Sequence, residues 1–144
     1  MHLKLTNGVP AIYTLGQLRR DNPQTSFPKL IPDELLASYD VYPYTRPTPP
    51  EYDSLSWRLI DGEFVHVNGA WILPYKLEEL PLEQAEQNVR SRRDNLLAET
   101  DWLVIKSYER SENIPAEWEL YRQALRDITE QAGFPYEVTW PTKP

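Results

Sequence analysis

The sequence has no cysteine, only two histidines, one methionine and five glycines among its 144 residues. Without cysteine there is no disulfide, no thiolate nucleophile and no thiolate ligand for zinc, and the redox compartment leaves no mark on the sequence. With so few glycines there is no Gly-rich phosphate loop and no G-x-S-x-G nucleophile elbow. His2 is terminal, and His66 falls inside an alternating strand pattern, where a surface or cross-strand role is the simple reading. No His/Asp/Glu grouping has the spacing of metal ligands, so neither a metal nor another cofactor is expected. The carboxylates of Asp33-Glu34 and Glu78-Glu79 are sequence neighbours, which do not face one another on a helix and make no acid/base pair. The expectation is a protein that is not an enzyme, with no catalytic residue.

Long apolar runs are also missing. No stretch approaches the ~20 apolar residues needed to span a bilayer, so no membrane partner is expected. The first residues, MHLKLTNGVPAIYTL, lack the apolar core and small-residue cleavage site of a signal peptide. Net charge is −7, and the one basic cluster, Arg90, Arg92 and Arg93, is surrounded by Glu83, Glu86, Asp94 and Glu99. This is the pattern of a solvated helix face and not of a phosphate-binding surface, so no nucleic-acid partner is expected.

Aromatics and prolines are plentiful. Five Trp and nine Tyr exceed what a small core needs, and fourteen prolines punctuate the chain. Residues 1–53 read as a small N-terminal α/β module. Leu3 to Leu5 and Val9 to Tyr13 are strands around an Asn7-Gly8 turn, with Pro10 restricting the second strand to an edge. Thr14 and Gln17 form a capping box for a helix over Leu15 to Asp21. Pro32 opens a second helix, Asp33 to Ser38, with Leu35 and Leu36 inward. Val41 to Tyr44 is extended, and TRPTPP at 45–50 reads as a stiff linker. Residues 54–77 predict a three-stranded β-meander, Ser56 to Ile60, Glu63 to Val67 and Ala70 to Tyr75. Its hairpin signals are Asp61-Gly62 and Asn68-Gly69.

Residues 78–144 carry the clearest periodicity. Ile114, Trp118, Tyr121, Leu125, Ile128 and Ala132 recur at helical spacing and give one apolar stripe. Pro115 opens this helix, and Gly133 is read as its left-handed stop before Phe134-Pro135. Leu82, Ala85, Val89, Arg93, Leu96 and Leu97 mark a preceding helix that is expected to run to Asp101 or a turn further. The fold class is therefore α+β, ending in an antiparallel helical hairpin and an extended aromatic tail.

The ordered islands RSRRDNLLAETDWLVI, AEWELYRQALRDI and GFPYEVTWPTKP resemble the tail assembly chaperone family of tailed bacteriophages. The marks are Arg92, Arg93, Leu96, Leu97, Thr100-Asp101-Trp102, Trp118, Tyr121-Arg122, Leu125-Arg126-Asp127, Phe134-Pro135 and Trp140-Pro141. They cover roughly the last 55 residues, and YTLGQLRRDNPQTSFP with LLASYDVYPY is similar to a leader that precedes this domain in phage proteins. The resemblance implies binding to a tail-fibre or other tail or baseplate protein during assembly. The place would be the host cytoplasm, and the virion tail if the complex persists. A permanent structural adaptor of the tail is the alternative. Trp and Tyr dominate protein–protein hot spots, so Trp102, Phe134, Tyr136 and Trp140 are the candidate contact residues. The edges of the meander offer strand pairing, and the helices offer an apolar groove.

Overall fold

The computed structural model describes residues 1–144, which divide into two compact units. Unit 1 comprises Met1–Pro50 and Leu59–Lys76; unit 2 comprises Glu51–Arg58 and Leu77–Pro144.

Unit 1 begins with an antiparallel hairpin, β1 (His2–Thr6) and β2 (Val9–Tyr13). Asn7 and Gly8, with φ of 53° and 81°, supply the two left-handed positions of its tight turn. Helix α1 (Leu15–Asp21) starts at the expected capping box: the Thr14 hydroxyl accepts from the Gln17 backbone, and the Gln17 side chain accepts from the Thr14 backbone. Helix α2 (Asp33–Ala37) begins after Pro32 and turns Leu36 into the core. Leu18, Leu36 and Val41 form a buried cluster, flanked by Tyr13, Phe27 and Tyr39. Strand β3 (Val41–Thr45) then pairs antiparallel with β1.

The expected three-stranded meander is not what forms. Strands β4 (Trp57–Asp61), β5 (Val65–Val67), β6 (Ala70–Ile72) and β7 (Tyr75–Glu79) enter two different sheets. Asn68-Gly69 makes the predicted hairpin between β5 and β6, at φ of 49° and 78°. Asp61-Gly62 makes none, because neither residue takes positive φ. Instead the Gly62 N–H is donated to the Pro74 carbonyl at 2.8 Å, and a Cβ at Gly62 would lie 3.2 Å from Pro74. Pro74 has no N–H and splits the predicted third strand into β6 and β7. β6 pairs in parallel with β3, giving the order β2-β1-β3-β6-β5, while β4 pairs with β7 as a separate ribbon. The boundary between the units falls within both strands of that ribbon. One face of the five-stranded sheet buries Leu3, Tyr44 and Leu73, with Leu5, Phe64 and Trp71 packed around them.

Unit 2 has three helices where a two-helix hairpin is expected: α3 (Leu82–Ala98), α4 (Asp101–Arg110) and α5 (Ala116–Arg126). A 3₁₀ turn, Asp127–Glu130, follows. The core is Val89, Tyr121, Leu125 and Ile128, so the predicted stripes face inward except at Leu82 and Ala132, which are exposed. No helix is long and apolar enough to cross a membrane.

Unit 1 contains a bidentate ion pair. Arg46 Nη1 and Nη2 donate to the two Asp61 carboxylate oxygens at 2.5 and 2.9 Å, and the guanidinium lies 5.4 Å from the Tyr75 ring centre. The hydrogen bond from Arg46 holds the Asp61 carboxyl below its ordinary value of 3.8, outweighing its desolvation. A depressed folded pKa contributes stability that is complete above 3.8 and is lost as pH falls through the lower folded value. The Asp61 side-chain NMR titration is expected to have its midpoint below 3.8, and Arg46→Met is expected to bring it back toward that value. An unchanged midpoint in Arg46→Met would show that the ion pair does not set it.

Candidate protein-binding surface

The local structure of unit 2 depends on one carbonyl. α3 ends at Ala98, and Thr100 has φ −110° and ψ 2°, which turns the chain before α4 begins. The Leu97 carbonyl at this break accepts from the Thr100 N–H at 3.0 Å, the Thr100 hydroxyl at 2.8 Å and Arg122 Nη1 at 2.9 Å. Thr100 favours such a break, because its β-branched side chain can bond a carbonyl one turn back. Arg122 Nη1 also reaches the Thr100 hydroxyl, and Nη2 donates to Asp101 Oδ1 at 2.9 Å. Arg122 is 8% exposed and Thr100 1%. A cation at the C-terminal end of α3 also meets the negative end of that helix dipole. Arg122 thus ties the end of α3, the start of α4 and the middle of α5 together.

This role was missed in the sequence, although a signal for it exists. Arg122 follows Trp118 by four residues and Tyr121 by one, so it lies on the same side of α5 as the apolar stripe. An arginine there needs buried acceptors, and Thr100-Asp101 at the helix break supplies them.

Beyond the 3₁₀ turn the chain folds back along α3. Gln131 holds this tail like a strand partner: its Nε2 donates to the Thr139 carbonyl at 2.9 Å, and its Oε1 accepts from the Thr139 N–H at 2.8 Å. Gly133 is not in the left-handed region, so the expected stop signal has a different cause. The Glu137 N–H is donated to the Gly133 carbonyl at 2.7 Å, and a Cβ at Gly133 would stand 2.4 Å from the Glu137 carbonyl oxygen. The glycine is required for close approach of backbone to backbone.

The four aromatic candidates fall into two environments. Phe134, Tyr136 and Trp140 are half-buried within unit 2. Phe134 and Trp140 pack on the core cluster, with Arg90 and Arg92 over their rings at 5.4 and 4.7 Å. The Trp140 indole N–H is buried without an acceptor. Tyr136 donates its hydroxyl to the Leu80 carbonyl at 2.8 Å and sits edge-on to Trp57, whose indole N–H is donated to the Tyr136 carbonyl. Trp102 lies apart from them, 56% exposed on α4. Leu103 and Ser107 bury the other side of that helix. Trp102, Val104, Ile105 and Tyr108 are exposed on α4, the last 87%, with Asp101 and Glu109 among them and Lys106 Nζ 5.7 Å from the Trp102 ring centre. Beside them a groove of about 750 Å³ runs between α4 and α5, lined by Val104, Tyr108, Ile114 and Ala116, with Glu112 and Glu119 on its lip.

No group of three or more His, Asp or Glu side chains converges as a metal site. Over residues 86–144 the chain matches the family model described as phage tail assembly chaperone protein. The matched span runs from within α3 to the last residue and lies inside unit 2. It includes Arg122 with its acceptors, the exposed α4 face and the tail. The comparisons with curated proteins and with solved structures return no match.

Two substitutions test the scaffold. Arg122→Met keeps the apolar stem but leaves the Leu97 and Thr100 oxygens without their cationic donor, and unfolding in urea is expected to become easier by ~2–4 kcal/mol. Gly133→Ala is expected to cost ~2 kcal/mol, because the new methyl displaces the Glu137 backbone. Wild-type stability in either variant would remove that residue from the account of unit 2.

Proposed function

We propose that this chain is a non-enzymatic phage tail assembly chaperone that binds a tail-fibre or other tail protein through the exposed face of α4. The observation that carries this reading is Trp102, Val104, Ile105 and Tyr108 lying together in solvent on a helix whose opposite side is buried. The family match supports the assembly role. Assembling fibre chains expose apolar surface and unpaired strand edges until they register, and a small acidic protein with an aromatic anchor can cover such surface. Trp102 is the central contact residue in this reading. Phe134, Tyr136 and Trp140 act by holding the tail against the unit and present only their remaining exposed edges to a partner.

Co-expression of the tagged chain with the tail-fibre protein of the same genome, followed by mass analysis of purified particles, tests the role. Capture of the fibre together with absence from the particle is the result expected of a chaperone. Stoichiometric presence in the particle would instead establish a permanent adaptor of the tail. Failure to capture the fibre or any other tail protein of that genome would overturn both readings. Trp102→Ala is expected to weaken partner binding by ~2 kcal/mol or more, read by calorimetry, while melting stays within about a degree of wild type. Trp140→Ala is expected to lower the melting temperature. Unchanged affinity in Trp102→Ala would remove the α4 face from the interface.

A further inference from the structure

The five-stranded sheet of unit 1 ends at β2, and this edge carries open hydrogen-bonding groups. A two-residue turn makes Thr6 and Val9 the first hydrogen-bonded pair of the hairpin, and bonded and non-bonded pairs then alternate. Leu5 fixes the phase, since its N–H points away from β2 and is donated to the Asp40 carbonyl at 2.9 Å. Leu5 and its partner Pro10 are therefore a non-bonded pair, as are Leu3 and Ile12. It follows that Pro10 and Ile12 turn their backbone groups outward. Pro10 has no N–H to offer. The open set is thus the Pro10 carbonyl, the Ile12 N–H and the Ile12 carbonyl.

The side chains at this edge are equally incomplete. Ile12 shares a sheet face with Leu3, which is fully buried, yet Ile12 is 53% exposed because no strand follows it. Next to it lies a cavity of about 450 Å³ lined by Pro10, Ile12, Phe64 and Leu73. Phe64 and Leu73 belong to the buried cluster of this sheet, so the cavity is where that core opens at its side. Glu63 stands at the rim, whereas the neighbouring Asp61 is neutralised by Arg46.

We propose that β2 is a docking edge for an extended segment of a partner polypeptide. The segment adds as a further strand, directs one large apolar side chain into the cavity and sets a basic residue near Glu63. Open backbone groups select an extended polypeptide over a helix, whose own groups are already paired. A second copy of this chain is a poor occupant. Setting Pro10 of one copy against Ile12 of the other leaves the Ile12 carbonyl without a donor. Setting Ile12 against Ile12 brings the Pro10 carbonyl to Thr14, whose N–H is already given to Gln17 at 2.9 Å. A short ladder with one pocketed side chain suits a reversible contact. The proposal does not rest on the α4 face.

The test uses the full chain and a capped, fluorescein-labelled peptide in which threonine and leucine alternate between terminal lysines. Saturable binding below about 1 mM is expected, with amide shifts concentrated at Ile12, Phe64 and Leu73. N-methylation of alternate amides along one peptide edge is expected to weaken binding about tenfold, since it removes the donors the ladder needs. Ile12→Lys should weaken it similarly, whereas Trp102→Ala should leave it unchanged. Equal binding of the methylated peptide, shifts confined to α4, or no binding at all would overturn the proposal. So would sedimentation of the chain alone as a dimer in which the Ile12 amide is protected from exchange. The methylated peptide decides the matter even if Ile12→Lys fails to fold.

Discussion

The fold of unit 2 depends on how the Leu97 carbonyl is satisfied. In an uninterrupted helix this oxygen would take the Asp101 N–H. Here it takes Thr100 twice and Arg122 once, and the helix ends. A buried guanidinium is costly unless its donors are met, and this one meets a carbonyl, a hydroxyl and a carboxylate whose other side faces water. α4 then leaves the break as a separate short helix with its own buried side, Leu103 and Ser107. Because α4 starts anew, Trp102, Val104, Ile105 and Tyr108 are carried into solvent together.

The tail is held by complementary means. Gln131 clasps the Thr139 backbone, Ser56 donates its hydroxyl to the Pro135 carbonyl, and Trp57 reaches the Tyr136 carbonyl. Arg90 and Arg92 cover two of the tail aromatics. The basic cluster that the sequence offers as a solvated face therefore also serves as packing material, with guanidinium planes lying over rings.

Unit 1 shows how far short-range signals reach. The capping box at Thr14 and Gln17, the Asn-Gly turns and the edge position of Pro10 are local chemistry, and each forms where the sequence predicts it. The Asp61-Gly62 pair carries the same kind of signal and does not form a hairpin. Its glycine is used for close approach to Pro74, a residue twelve positions away, and local spacing does not encode that contact. The parallel pairing of β3 with β6 was likewise hidden, because its partners are separated by a long connection. Among the candidate residues, the sequence marks Trp102, Phe134, Tyr136 and Trp140 alike as large aromatics. Only packing separates the one in solvent from the three set against their own unit.

By itself the sequence determined the α+β class, most element positions, most of the inward stripes of α3 and α5, and the resemblance to phage tail assembly chaperones that the family match places over residues 86–144. The class, positions and stripes follow from periodicity, caps and turns, which act within a few residues of chain. Tertiary structure decided the break at Thr100, the burial of Arg122, the split of the predicted meander between two sheets and the steric need for Gly133. Each is settled by a partner distant in the chain. A carbonyl, a guanidinium or a glycine has the same local propensity wherever it stands, and the group that it meets after folding decides its role.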